Sequence, residues 1–486
     1  MPEDSSDGPL VGPELVIGLV AAIGTPIERA VTLVEDVMKE HGYASNSLRL
    51  SGYTDYFNLQ SAPAGGDSEP ERVKNAISRG SEVRRTTGRN VILALAAMAE
   101  ICSTSVRGNG KAHILRQLKH PEEVHLLRRV YNDRFLAIGF YMPRSERINH
   151  LVGNGYRREE AEKMIETDYY EGLKSGQRFR DTFHLSDVFI RIKSEEGDHC
   201  ESELNRFFSL LMGTDIITPR IEEFGMFQAY GAALRSSQMG RQVGASILSD
   251  IGDIISVGTN EVPQAGGGGY WGEGKQGKSD GRDHIRGYDS NDRVKREITR
   301  DIVEKLQSRN LLPEFDQNPE VELKAYEILE ESMLGSLIEF GRAVHAESDA
   351  LAAAARMGKS TRNADLFCTT FPCHLCAKQI ISSGIRSVTF IEPYPKSRAE
   401  ELHEDAVAIE EDDPEKVCFK PYVGVAPRRY EQLFSMVDQE GKVIERKGGD
   451  GYTEKNLFHP RIQKLEEDVI YRREQEEVDD LSNIST

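Results

Sequence analysis

The stretch PCHLC, Pro372 to Cys376, restricts the fold of this chain more than any other feature. Cysteines at i and i+3 on the first turn of a helix present both thiols on one side. The helix N-terminus favours negative charge, so it helps to hold two thiolates. Two thiolates leave a tetrahedral zinc site incomplete. Upstream, RAVHAESDALAAAAR offers His345 as a third ligand, with Glu347 two residues on at the start of an alanine-rich helix. Between the two segments, ADLFCTTF reads as a strand. Helix, strand and helix in that order can bring both helix starts to one edge of a sheet, the connection of an α/β architecture.

Three protein ligands leave a fourth position for water, the arrangement of catalytic rather than structural zinc. Glu347 need not touch the metal; beside the bound water it can carry a proton. Each half alone is weaker. C-x-x-C also occurs in redox pairs and structural zinc half-sites, and H-x-E by itself means little. His374, between the cysteines, is expected to face solvent. Cys102, Cys200, Cys368 and Cys418 lack metal-ligand spacing and are expected to be buried thiols. Six cysteines spread through 486 residues make no disulfide framework, so a reducing, cytoplasmic setting is expected.

The rest of the chain extends the α/β pattern. ELVIGLV reads as a buried strand. Thr25 fits a cap and Pro26 the first helical position of IERAVTLVEDVMKEHG, which Gly42 ends. SLRLS, RFLAIGFYM and LSDVFIRIK read as further strands. Helices are expected near 70–86 and 90–102 and in RREEAEKMIETDYYEG. Strands alternating with helices imply a three-layer, parallel α/β domain, assigned to residues 1–205. The second domain, 206–455, opens with a helix near 223–239. VGASILSD and DIISVGTN form a hairpin-like pair, and AGGGGYWGEGKQGKSDG is too Gly-rich for regular structure. Helices near 292–309 and 319–342 precede the zinc-ligand segments, and SVTFIEP adds a strand. The acidic run EEDDPE is read as a solvated loop. The highly charged residues 456–486 are expected to form a partly ordered tail.

The formal net charge is −19. A sequence-independent grip on polynucleotide needs a basic face, so no polynucleotide substrate is expected. A small phosphate-bearing molecule needs only a local pocket. The longest apolar runs, about ten residues in LVIGLVAAIG and VILALAAMAEI, are too short to span a bilayer, so no membrane partner is expected. MPEDSSDGP has no apolar core behind basic residues, and no signal peptide is expected.

His345-Ala346-Glu347 and Pro372-Cys373-His374-Leu375-Cys376, with 28 residues from His345 to Cys373, match the H-x-E…P-C-x-x-C pattern of zinc-dependent nucleobase deaminases. GRQVGASILSDIGDIISVGTNEVP resembles the opening hairpin of the deoxycytidylate deaminase family. In that family an asparagine at the end of the second strand contacts the nucleoside, and the matching residue is Asn260. Pro263 and the Gly-rich loop fall where the family has an N-G-x-P-x-G turn. Here Glu261 replaces the glycine and four glycines follow Ala265.

The whole chain resembles the bacterial anti-phage dCTP deaminases. Its two-domain order, the long insert between NEVP and HAE, and FIEPYPKS after the zinc helix carry that resemblance. Such proteins join an N-terminal P-loop-kinase-like three-layer α/β domain to a C-terminal cytidine-deaminase-like α/β/α domain. The resemblance implies a Zn2+ cofactor and conversion of dCTP and dCMP to dUTP and dUMP with release of ammonia. It also implies depletion of deoxycytidine nucleotides during phage infection, and a homo-oligomer. Glu347 would carry protons between water, N3 of cytosine and the departing ammonia. Some relatives carry a second zinc, to which His199, Cys200 or His284 would contribute. Phosphates need cations: Lys396, Arg241, and Lys275 or Lys278 are the candidates. Trp271, with Tyr270, is a candidate for stacking on the base or for anchoring its loop.

In the N-terminal domain, IGLVAAIGTPIERA stands where a phosphate-binding loop belongs, between strand and helix. The standard pattern is G-x-x-x-x-G-K-[ST]. Here Gly18 and Gly24 are six apart and no lysine precedes Thr25. Gly18, Gly24 and Thr25 are therefore read as a degenerate loop that binds nucleotide weakly. RREEAEKMIETDYYEGLKSGQRFRDTFHLSDVFI resembles the lid and following strand of nucleoside monophosphate kinases. The alternatives are a housekeeping dCMP deaminase whose N-terminal domain reads a regulatory nucleotide, and a non-enzymatic nucleotide sensor. The sensor would have structural zinc and a protein or small RNA as its partner.

Overall fold

The computed structural model describes residues 12–57, 59, 68–103, 108–170, 178–194, 199–272, 280–309, 311, 319–393, 397–410, 413–438, 440–448, 451–453, 457–463 and 467–482. The chain divides into two compact units. Unit 1 is Met1–Glu223 with Tyr422–Thr486, and unit 2 is Phe224–Pro421. Unit 2 is thus an insertion in the sequence of unit 1.

In unit 1, β1 (Leu15–Ala21) is apolar and buried at every residue, as a central parallel strand covered on both faces must be. Beside it run β2 (Ala44–Arg49), β3 (Lys111–Arg116), β4 (Phe135–Tyr141) and β5 (Val188–Arg191), all parallel, in the order β5-β4-β1-β3-β2. One face carries the helix Ile27–Glu40, which buries Ala30, Val31, Val34, Val37 and Met38, an apolar stripe at helical spacing. These side chains join Leu15, Ile17 and Leu19 of β1 and Phe207 and Phe208 of the helix Cys200–Met212 in one core. The opposite face explains Gly18. A Cβ there would lie 2.3 Å from Leu118 Cδ1 and 3.0 Å from the Phe135 ring. Gly18 is a packing glycine inside β1, not part of a phosphate loop, which corrects the expectation for it.

The boundaries also differ from those expected from the sequence. Residues 206–223 and everything from Tyr422 onward belong to unit 1. Gly424 and Val425 pair antiparallel with Phe189 and Val188 at the edge of β5. A buried ionic cluster fixes this return. Asp187, fully buried, accepts from Arg429 Nε at 3.1 Å, Arg128 Nη2 at 3.2 Å and the Ala137 N–H at 2.8 Å, with Arg428 Nε at 3.4 Å. Arg429 also reaches Asp133 at 3.0 Å. Within residues 456–486 the helix Glu467–Ser482 is ordered; its Ile470 and Glu474 are buried, and its Glu477 meets Arg129 at 2.6 Å.

Unit 2 is built on β6 (Gly244–Leu248), β7 (Ile254–Thr259), β8 (Asp365–Thr370), β9 (Ser387–Glu392), β10 (Val407–Ile409) and β11 (Val417–Pro421), in the order β10-β11-β9-β8-β6-β7. β8 to β11 are parallel, and the hairpin β6–β7 adds antiparallel to β8. Alternation along β6 covers both faces. Ser246 bonds Gly225 O, and a Cβ at Gly244 would lie 1.9 Å from Ala229 O, both in the helix Ile221–Ala233. Ala245 and Ile247 instead pack with Ala346 and Ala350 of the helix Ala346–Arg356. The α/β/α reading holds. Alanines at one-turn spacing let that helix lie close on β7. A Cβ at Gly258 would meet Ala346 O at 2.2 Å, so only glycine fits. Among the described residues no helix is long and apolar enough to cross a membrane.

Candidate metal centre and active site

Two helix starts converge beyond the carboxyl end of β8. His345 is the N-cap of the helix Ala346–Arg356, held by the bridge of its neighbour Val344 with Glu261. Cys373 is the N-cap of the helix His374–Ser382, and Cys376 lies on that helix's first turn. His345 Nδ1 is 3.3 Å from Cys373 Sγ and 3.4 Å from Cys376 Sγ. The three donor atoms lie within 4.8 Å of one another, and among the described residues this is the one such group of ligand atoms. His199, Cys200 and His284 form no second one.

The donor set fits zinc. Bond lengths of about 2.0 Å to nitrogen and about 2.3 Å to sulfur in a tetrahedron put N and S about 3.5 Å apart, close to both observed spacings. A metal bound here would displace the protons these three donors share. Hydrogen bonding from Cys376, then from His345, pulls the Cys373 thiol far down. Its own hydrogen bond with Cys373 pushes Cys376 up, with burial adding to the effect. The bond to Cys373 raises His345 to about 9 against the opposing effect of burial.

Glu347, in the first turn of that helix and 4% exposed, completes the corner. Burial pushes its carboxyl up, and the charge of His345 pulls it down. Cys368 of β8 is fully buried and borders Glu347, with burial raising its thiol. Cys200 and Cys418 are likewise buried and Cys102 is half-buried, with no disulfide among them. His374 is not a ligand; it is half-buried, 3.8 Å from Glu339. The sequence reading overlooked Ser348, whose Oγ is 3.4 Å from Cys376 Sγ. Its place three residues after His345, on the same helix face, was the available signal.

The other expected contacts separate into distinct environments. Asn260 uses its amide on backbone: Oδ1 accepts from Val243 N at 2.7 Å, and Nδ2 donates to Arg241 O at 2.7 Å. Arg241 pairs with Glu392 at 3.1 Å, and Thr370 donates to the same carboxylate. Trp271 is 61% exposed, with the Arg235 guanidinium 3.9 Å over its ring. Arg235 also donates to Gly269 O and Tyr270 O, the two residues just before Trp271. Lys396, Lys275 and Lys278 lie outside the described residues. Gly24 and Thr25 belong to unit 1 and line a separate cleft there.

Residues 219–392 match the family model described as the cytidine and deoxycytidylate deaminase zinc-binding region. Over 72 residues the chain is 38% identical to ComE operon protein 2 of Bacillus subtilis, covering 14% of this chain and 38% of that protein. Over 55 residues it is 42% identical to the deoxycytidylate deaminase of Enterobacteria phage T2, covering 11% of this chain and 29% of the relative. The chain thus spans well under half the length of these curated relatives. Among solved structures, the dCMP deaminase of cyanophage S-TIM5 in its apo form is similar at 17% identity with a TM-score of 0.23. That match covers 42% of this chain and 99% of the other.

Proposed function

We propose that this protein is a zinc-dependent hydrolytic deaminase of free deoxycytidine nucleotides, taking dCTP and dCMP to dUTP and dUMP with release of ammonia. The observation that carries the reading is the meeting of His345 Nδ1 with two thiols at 3.3 and 3.4 Å, beside a buried carboxyl. The family match at 219–392 and the phage deoxycytidylate deaminase supply the substrate class. A net charge of −19 argues against a polynucleotide substrate.

His345, Cys373 and Cys376 would hold the metal, which supplies Lewis acidity and a water acidified toward neutrality. Glu347 takes a proton from the attacking water and delivers it to N3 of cytosine. With the water oxygen bonded to C4, the same carboxyl takes the remaining hydroxyl proton and passes it to the amine as the C4–N4 bond breaks, leaving the C4 carbonyl of uracil and free ammonia. Its burial excludes bulk water from that shuttle. Asn260 retains one N–H and one lone pair beyond its two backbone bonds, enough to take a sugar hydroxyl. Arg241 reaches a substrate phosphate by exchanging its bond to Glu392, and Lys396 is a second candidate. In this reading the biological role is depletion of deoxycytidine nucleotides during phage infection, by a homo-oligomer held in check at other times.

The test is to incubate the purified protein with dCTP, dCMP and a cytosine-containing oligonucleotide and to measure ammonia and uracil. Turnover of the free nucleotides but not the oligonucleotide is expected. Absence of turnover on all three would leave the non-enzymatic sensor standing instead.

A further inference from the structure

The turn that follows β7 holds a carboxylate to which the reaction assigns no task. Glu261 is 2% exposed. Its Oε2 accepts from the Ser237 N–H at 3.1 Å and the Ser237 hydroxyl at 2.7 Å, and its Oε1 accepts from the Val262 N–H at 2.8 Å. None of these donors is a cation. Burying a carboxylate on uncharged donors alone costs free energy that a smaller or apolar side chain would avoid. Groups kept in the interior against such a cost concentrate where function needs them.

The backbone of the same turn reaches both halves of the site. The Val344 N–H, one residue before the ligand His345, donates to Glu261 O at 3.0 Å. On the other side stands Asn260, whose carbonyl accepts from the Ser236 hydroxyl at 2.7 Å and whose side chain bonds Val243 N and Arg241 O. Ser236 is itself held, its carbonyl accepting from Gln242 Nε2 at 2.7 Å. Ser236 and Ser237, just beyond the helix Ile221–Ala233, thus grip consecutive residues of the turn: one through the backbone of Asn260, the other through the side chain of Glu261. The stem of Glu261 also supports the loop that follows. A Cβ at Gly269 would lie 2.9 Å from Glu261 Cγ.

We propose that Glu261 is a positioning residue that fixes His345 and Asn260 relative to each other, so that metal and nucleotide are held by one pre-arranged turn. The inference rests on the zinc site for His345 and on the deaminase reading for Asn260. Hydrogen bonds to a charged acceptor are shorter and about twice as strong as neutral ones, and three of them converge on this side chain. Groups behind a metal ligand orient it and so tune metal affinity. A nucleoside contact already in place needs less ordering when the nucleotide binds. None of Glu261's hydrogen bonds reaches a metal-ligand side chain or Glu347, so its effect falls on binding and not on the chemical step. The end of β7 has its own tie to the helix Ala346–Arg356, through the Thr259 N–H on Asp349 Oδ2 at 3.2 Å, and the fold there does not depend on Glu261 alone.

The test uses the full-length protein and two readouts: zinc affinity in competition with a chelator, and KM against kcat for dCMP at saturating zinc. Glu261→Gln keeps the volume but turns an NH2 group toward an N–H or hydroxyl donor. It should weaken zinc about tenfold and raise KM about tenfold, the loss of one charge-assisted bond, with kcat within about twofold of the parent. Ser237→Ala removes only the hydroxyl donor and should move both readouts the same way by about threefold; Ser237→Thr should restore both. The double variant should be no worse than Glu261→Gln alone, because both changes break one contact. Ser237→Ala leaves the other two donors on Glu261, so it decides the matter even where Glu261→Gln fails to fold. Parental zinc affinity and KM in the variants overturn the proposal, whatever the melting temperature does. Raised KM with unchanged zinc affinity overturns the link to His345, and the converse overturns the link to Asn260. A fall in kcat with KM unchanged overturns the positioning role. Zinc affinity is read without turnover, so an inactive parent sinks the deaminase reading while the zinc half of this proposal stands or falls by itself.

Discussion

Two buried ionic clusters in this molecule have opposite characters. In unit 1, Asp187 is surrounded by Arg128, Arg428 and Arg429, and Arg429 reaches on to Asp133. Every charge meets a protein partner. In unit 2, two thiols and a carboxyl crowd one imidazole, and the donors are reconciled only by sharing protons. A cluster closed by its own partners stabilises a fold. One that gathers anionic donors beyond its protein cations is stabilised by a metal, and perturbed groups of that kind gather at reactive sites. The contrast makes a sharp claim: damage to the closed cluster costs stability, and damage to the open one costs chemistry.

The largest expected effect is at Cys373. Cys373→Ala leaves two donors, so zinc measured by elemental analysis should fall to background and deamination should vanish. A variant that retains full zinc removes Cys373 from the ligand set. Next comes Glu347→Gln, which keeps the volume and loses the proton carrier. Zinc should remain while turnover falls about 10²- to 10⁴-fold. Its melting temperature should not drop, because burial and the Cys373 charge already disfavour the carboxylate there. A rate within about tenfold of the parent would take Glu347 out of the proton-carrying role.

At the closed cluster the signs reverse. Asp187→Asn should cost about 3–5 kcal/mol of unfolding free energy, because it strands buried guanidinium groups. Turnover per folded molecule should be unchanged. Acid sharpens the point. Burial alone would raise Asp187, but Arg429, Arg128 and Arg428, with the Ala137 N–H, hold it down from 3.8 to about 2. A carboxyl depressed on folding contributes stability above its unfolded value and loses it as pH falls through the folded one. The contribution, about 2 kcal/mol, is therefore complete above about pH 4 and is lost between about pH 4 and 2. Denaturant titrations across that window should show a steeper fall for the parent than for Asp187→Asn. Parallel curves would mean that Asp187 does not set the acid limb.

The same contrast explains what was legible in the sequence. His345, Glu347, Cys373 and Cys376 could be read directly, because their chemistry resides in side-chain identity and in spacing on helix starts. The strands of unit 2 near them followed from apolar runs. The return of the chain to unit 1 could not be read. Gly424 and Val425 form a two-residue strand pairing with residues more than two hundred positions earlier, and Arg428 and Arg429 look like surface charge until Asp187 is placed beneath them. β3 was missed because His113 breaks its apolar run, although that imidazole is buried 2.8 Å from Glu14. Gly18 was misplaced because a glycine serving close packing and one serving a phosphate turn look alike without neighbours. The cleft of unit 1 was half visible: Thr25 stood in the loop, but Lys119 follows β3 and Arg49 ends β2.

The smallest effect concerns how finely the open cluster is adjusted. Ser348 Oγ stands 3.4 Å from Cys376 Sγ, within reach to donate to the sulfur once it is deprotonated. A hydroxyl there steadies the thiolate and orients it without touching substrate, which makes Ser348 a positioning residue. Ser348→Ala should weaken zinc about 10- to 100-fold in competition with a chelator. Turnover measured at saturating zinc should return close to the parent's, and Ser348→Thr should recover most of the affinity by restoring the donor. Unchanged zinc affinity would reduce the contact to packing. A rate deficit that persists at saturating zinc would move Ser348 from the ligands to the reaction itself.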